Sequence, residues 1–191
     1  MKFEHFAELH GEHLEFQVGQ AVFREGARDQ YIYLLKQGVL KALYLSEAGN
    51  ELIKAFVRPG EIIGSLASAH WGQATNFDLI ALDRSRLLRV DFRLLYQQAG
   101  NDLELGRDVI DRLLLYGRQK ERRERELLTL SAEGRYRSLL DEFPSVLDQV
   151  KQKDIARFLG ITPVALSRIR KKNVTARLTV IPIAFRLNGR L

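Results

Sequence analysis

A chain of 191 residues with 30 Lys and Arg against 24 Asp and Glu carries a formal charge of +6, and it contains no cysteine. That composition excludes disulfides, thiolate zinc sites, cysteine-ligated iron–sulfur clusters and a cysteine nucleophile. No apolar run approaches the roughly 20 residues of a membrane span, and the opening MKFEHFAELHGEHLEF lacks the apolar core of a signal peptide, so a cytoplasmic protein with no membrane partner is expected.

From Leu14 to about Val90, short β-prone runs alternate with turn-forming Gly, Pro, Asn and Asp. The spacing predicts strands at Leu14–Phe16, Ala21–Phe23, Tyr31–Lys36, Val39–Leu45, Leu52–Val57, Ile62–Ile63, Asp78–Ala81 and Arg86–Val90. Such a series suggests an antiparallel β-roll or jelly roll. Strand spacing does not separate a sensor from a cupin-like enzyme, which would need a metal cluster. The histidines are His5, His10, His13 and His70. His10 and His13 could share a helical face, but they sit in the lead-in to the roll with no carboxylate-rich ligand set beside them. A solvent-facing pair is the expectation, with no metal site, no catalytic residue and no enzyme.

Residues 101–128 form one long helical pattern, with Asn101 placed to cap it. Leu103, Ile110, Leu113 and Leu114 make an apolar stripe adjoined by Gly106 and Gly117, able to pack on the roll, on a partner helix, or on both. After Gly117, Lys120–Glu124, Glu121–Arg125 and Arg122–Glu126 are spaced for i,i+4 pairs. Thr129–Ser131 reads as a hinge, with Ser131 capping the next helix and Gly134 standing where a capping box would have Glu.

QKDIARFLGITPVALSRIRKK, residues 152–172, reads as a helix-turn-helix. Ile155, Ala156 and Leu159 share one face, and Gly160 ends the first helix in a conformation it adopts cheaply. Thr162 can cap the second helix, Pro163 occupies a first-turn position where its missing N–H does no harm, and Leu166 and Ile169 continue the apolar face. The remaining surface carries Ser167, Arg168, Arg170, Lys171 and Lys172. Charge is segregated to match: residues 1–100 hold 11 basic and 12 acidic side chains, 101–130 hold 7 of each, and 131–191 hold 12 basic against 5 acidic. This is the footprint of a DNA-contacting segment. The run LTVIPIAF near the C-terminus is apolar and β-prone, with Pro182 arguing for an edge strand.

VFREG (22–26) followed by YIYLLKQGVLKALYLSEAGNELIKAFVRPGEIIG (31–64) resembles the cyclic-nucleotide-binding roll of the Crp/Fnr family of bacterial transcription regulators. RYRSLLDEFPSVLDQV (135–150) with the helix-turn-helix after it resembles that family's DNA-binding half. The resemblance implies an α+β fold: an antiparallel β-roll sensor domain (1–100), a long connecting and dimerisation helix with its hinge (101–130), and a winged helix-turn-helix with a C-terminal tail (131–191). It implies a homodimer on a palindromic double-stranded DNA site, with RNA polymerase the further partner that activation would need.

Family members that bind cyclic AMP carry G-E-L, a spacer, then R-S or R-T, with the Glu on the ribose and the Arg on the cyclic phosphate. Here Gly64 and Leu66 match, but Ser65 stands in the Glu position, and Thr75 and Asn76 in the approximate Arg-Ser position. Neither Thr nor Asn restores the missing charge, so cyclic nucleotide is disfavoured as a cofactor. Another small-molecule effector, or a pocket filled by side chains such as Trp71 and Phe77, is the expectation, with Trp71 read as core packing. At the DNA, Thr162, Ser167 and the backbone N–H groups at the helix start would hold phosphates, and Arg168 would read a base edge. Gln152, Lys153, Arg170, Lys171 and Lys172 would supply backbone affinity. Beside Pro163, Val164 replaces the acidic residue common in the family, which implies a different operator. The competing class is a small-ligand sensor without specific DNA binding.

Overall fold

The computed structural model describes residues 1–179, with side chains up to Lys172. A short helix α1 (Phe3–His10) leads into eight strands: β1 (Glu12–Phe16), β2 (Ala21–Phe23), β3 (Tyr31–Gln37), β4 (Leu40–Leu45), β5 (Glu51–Val57), β6 (Ile62–Ile63), β7 (Asp78–Ala81) and β8 (Ser85–Asp91). Helix α2 (Leu66–Trp71) lies between β6 and β7, and α3 (Phe92–Asn101) and α4 (Leu103–Thr129) follow β8. The remainder is α5 (Ala132–Glu142), the single turn α6 (Val146–Gln149), α7 (Gln152–Leu159) and α8 (Pro163–Thr179).

The strands form two antiparallel sheets, ordered β1-β8-β3-β6 and β2-β7-β4-β5, so all eight sequence-predicted strands are present within a few residues. Alternation along β3 feeds two cores at once, because successive side chains point to opposite faces. Tyr33 and Leu35 turn inward, packing with Phe23, Leu40, Phe77 and Leu87 between the sheets. Ile32 and Leu34 turn outward against Phe3, Phe6, Leu95 and Leu105, which roof the first sheet with α1, α3 and α4. The outer face of the second sheet, with Leu43, Ile53 and Ile80, packs on Phe158 of α7. The third core holds Tyr136, Leu139, Val146, Ile155, Leu159 and Leu166, and takes Val39 from the roll.

Several expectations change in the folded chain. Asn101 does not cap the long helix; it closes α3, and Asp102 caps α4 by accepting from Glu104 N and Leu105 N at 2.9 and 3.0 Å. His10 ends α1 while His13 lies in β1, so the two share no helical face, although both are exposed. Of the three i,i+4 pairs, Arg122–Glu126 forms at 3.4 Å, whereas Lys120 lies over the Tyr116 ring. Among the described residues no strand follows Asp91, and where a wing was expected the chain makes α6 instead. The beginning of the LTVIPIAF run, to Thr179, continues α8 as helix, and its remainder with Pro182 lies outside the described residues.

Candidate nucleic-acid interface and effector pocket

The helix-turn-helix is built as its residues dictate. Gly160 closes α7 at φ 67°, a left-handed conformation that a side chain would strain. Ala165 N donates to Thr162 Oγ1 at 3.2 Å, so Thr162 caps α8, with Pro163 as the first helical residue. Leu166 is fully buried and Ile169 half-buried, which rotates the opposite face outward. Thr162, Pro163, Val164, Ser167, Arg168, Lys171 and Lys172 are exposed, Arg170 is half-buried, and Gln152 and Lys153 are exposed at the start of α7. The structure therefore brings all ten predicted interface residues to two neighbouring helices. Lys172 is also engaged by Glu133 of α5 at 2.8 Å, which offsets part of its charge.

The five cassette positions have another character. Gly64 runs so close to β3 that a Cβ there would meet Ile32 Cδ1 at 2.6 Å and Tyr31 O at 2.9 Å. Ser65 is buried and caps α2, its Oγ accepting from Ser68 N at 3.4 Å. Thr75 is buried, its hydroxyl donating to Arg24 O at 2.6 Å and its N–H to Ala27 O at 2.7 Å. Leu66 is half-buried and packs with the α1-side core, and Asn76 is exposed. Arg24, whose carbonyl accepts from Thr75, has its guanidinium paired to Asp78 at 2.6 Å. The two buried side-chain hydroxyls are thus committed inside the protein.

Phe77 fills the roll as expected, 5.0 Å edge-on from Phe23. Trp71 does not. It is 67% exposed at the end of α2, touching only the edge of the His70 ring among aromatic partners, because Gly72 turns the helix end toward solvent.

Sequence reasoning missed a charged joint between the roll and α7. Lys41, on the outward face of β4, is buried and reaches Glu51 at 2.8 Å and Asp154 at 3.2 Å, while Arg157 pairs with Glu51 and lies 3.6 Å from Asp154. Two cations and two carboxylates balance there, which is what makes their burial tolerable. The available signal was a lysine in an otherwise apolar strand.

Along α4, Leu105 is buried against the roll, whereas Leu103, Ile110, Leu113 and Leu114 are 70%, 57%, 41% and 66% exposed. The stripe read from the sequence is therefore the helix face turned away from its own roll.

Two antiparallel sheets, the first roofed by helices, followed by a long helix and a helix-turn-helix, define a β-roll protein with a helical C-terminal half. Residues 13–102 match the cyclic nucleotide-binding domain family. The chain is 28% identical to the nitrogen fixation regulation protein FixK of Azorhizobium caulinodans, over 80% of this chain and 65% of that one. The chain thus spans about two thirds of the length of that curated relative. It superposes on FixK2 of Bradyrhizobium japonicum with a TM-score of 0.76 at 19% identity, covering 87% and 86% of the two chains. A CRP/FNR-family transcriptional regulator of Thermus thermophilus superposes with a TM-score of 0.68 at 18% identity, over 94% and 90%. Residues 13–102 thus carry a cyclic nucleotide-binding domain, and the chain as a whole is similar in sequence to FixK and in fold to the CRP/FNR-family structures. No helix among the described residues is long and apolar enough to cross a membrane.

Proposed function

We propose that the protein is a DNA-binding transcription regulator that acts as a homodimer on a palindromic operator, with a roll that does not take cyclic nucleotide in the usual way. The observation that carries this reading is the outer face of α8, where Thr162, Val164, Ser167, Arg168 and Lys171 are exposed together while Leu166 anchors the opposite side. Thr162 and Ser167 hold phosphates, and Arg168 reads a base edge, where guanine O6 and N7 accept its paired N–H groups. Val164 contacts a thymine methyl, and Gln152, Lys153, Arg170, Lys171 and Lys172 add backbone affinity. Pairing of two α4 helices through Leu103, Ile110 and Leu114 sets two α8 helices about one DNA turn apart. With Ser65 and Thr75 engaged internally, the roll answers another small effector or none.

The test is selection of duplexes from a random library by the purified protein, followed by fluorescence anisotropy on the selected site and a shuffled copy at several salt concentrations. An inverted-repeat site bound at least a hundredfold above the shuffled one, with affinity falling as salt rises, is expected. Equal binding to both, or none, would leave a sensor without specific DNA recognition.

A further inference from the structure

The charged joint between the roll and α7 sits inside a contact that apolar side chains already make. Leu43, Ile53 and Ile80 of the roll pack on Phe158, whose ring centroid is 5.1 Å from that of Phe56. Val39 enters the core of the helix-turn-helix half, and Arg58 donates from Nη1 to Glu142 O at 2.9 Å. Apolar contact attracts without direction, so by itself it lets one element slide or turn on another at little cost. Hydrogen-bonded ion pairs out of water do not, because they weaken steeply when their geometry is disturbed.

The quartet is divided evenly between the two halves. The roll supplies Lys41 and Glu51, and α7 supplies Asp154 and Arg157, so each charge faces an opposite one from across the joint. Lys41 and Asp154 each expose only 9% of the side chain, which places their 3.2 Å contact out of water. Glu51 accepts from both cations, from Lys41 on its own sheet and from Arg157 across the joint. A buried pair of this kind adds little net stability over apolar residues of the same volume, since desolvation consumes most of the attraction. What it adds is register. Moving α7 along its axis by one turn, about 5.4 Å, would bring the uncharged Phe158 to the place where Asp154 meets Lys41. From α7 the constraint passes to α8, because Ile155, Leu159 and Leu166 share one core.

We infer that Lys41 and Glu51 of the roll are positioning residues for DNA recognition: with Asp154 and Arg157 they fix α7 on the outer face of β4 and β5, and so fix the direction in which α8 is presented. The consequence for DNA rests on the DNA-binding reading above, whereas the fixing of α7 rests on the joint alone. The roll then takes part in recognition without touching DNA, through charges built into the chain and not through a bound effector. In a dimer this holds the two α8 helices at one separation.

The test removes the buried pair without leaving a lone charge. Lys41→Met combined with Asp154→Leu leaves Glu51 and Arg157 to neutralise each other, and this double variant is expected to keep the wild-type denaturation midpoint. Anisotropy is then measured on the selected inverted repeat, on copies with the spacer one base pair longer or shorter, and on an isolated half-site. The wild type should prefer one spacer by about tenfold or more; in the double variant that preference should fall below about threefold while half-site affinity stays within about twofold. Glu51→Gln, at the half-buried edge of the joint, should show the same loss and replaces the double variant if the latter does not fold.

A second measurement needs no DNA. The chain has no cysteine, so spin labels can be attached at Gln73→Cys in the roll and Asp148→Cys on α6, both exposed positions, with unlabelled chain in excess. The distance distribution should be narrow in the wild type and about twice as broad in the variant. An unchanged width overturns the proposal, as does an unchanged spacer preference or an equal loss on the half-site and on every spacer. If the wild type selects no inverted repeat, the DNA-binding reading fails and the width alone decides whether the joint fixes α7.

Discussion

The cassette and the outer face of α8 carry similar polar side chains, and they use them in opposite ways. Ser65 and Thr75 are buried, and their hydroxyls bond to the protein itself, one at a helix cap and one at Arg24 O. Ser167 and Arg168 stand exposed on a helix whose other side is anchored by the fully buried Leu166. What separates a recognition surface from a structural one is therefore not residue type but whether donors and acceptors are already satisfied. Burial forces internal pairing, because an unpaired buried polar group costs about 1–3 kcal/mol. Exposure leaves that capacity for a partner.

The sharpest way to break this contrast is to remove the anchor beneath the exposed face. Leu166→Ala should lower stability by about 2–5 kcal/mol in chemical denaturation and abolish retention on DNA, since the cavity it leaves lies between α7 and α8. Unchanged DNA retention would mean that the face does not need α8 to be held in place.

Next in size, Arg168→Ala should cost about 1–3 kcal/mol on the selected duplex and much less on a shuffled one, whereas Lys153→Ala should weaken both alike and reduce the salt slope by about one. Equal losses on both duplexes for both variants would erase the division between reading bases and gripping phosphates.

Lys54 tests the contrast from a third position, as a half-buried cation without an anionic partner. Burial, with Lys120 alongside, holds its ammonium down from 10.5 to about 7. Between those values the unfolded chain binds the extra proton, so on this group's account stability rises with pH through that window, and the full penalty is present below pH 7. Lys54→Met should accordingly stabilise the protein by about 1–2 kcal/mol at pH 6, with the gain fading toward pH 10 in denaturant melts followed across pH. A gain independent of pH would locate the effect in packing instead of charge.

The smallest effect is expected in the cassette. Thr75→Val removes the hydroxyl donor to Arg24 O and should cost about 1 kcal/mol in stability, with DNA affinity unchanged. A change in DNA affinity without a loss of stability would show that the hydroxyl serves a ligand after all.

The chain's local chemistry was enough to read much of this. Short β-prone runs punctuated by Gly, Pro, Asn and Asp located all eight strands, because turn-forming residues mark where an extended run ends. Gly160, Thr162 and Pro163 marked the helix-turn-helix, because a left-handed turn and a cap are set by the residues that make them. The absence of an Arg near Thr75 was also plain from the letters alone.

Tertiary structure decided the rest, since it depends on neighbours distant in sequence. Asp102 rather than Asn101 caps α4, and the described residues of the helix-turn-helix half carry a one-turn α6 and no strand for the wing that the resemblance implied. Trp71, an apolar ring that composition would bury, is exposed because α2 ends at the surface. Lys41 meets Asp154 from 113 residues away, and the bulge at Lys54 exists only in the register of β4 against β5. Sequence sets what each residue prefers within a few positions of itself. Which charges end up balanced is settled only when the elements pack.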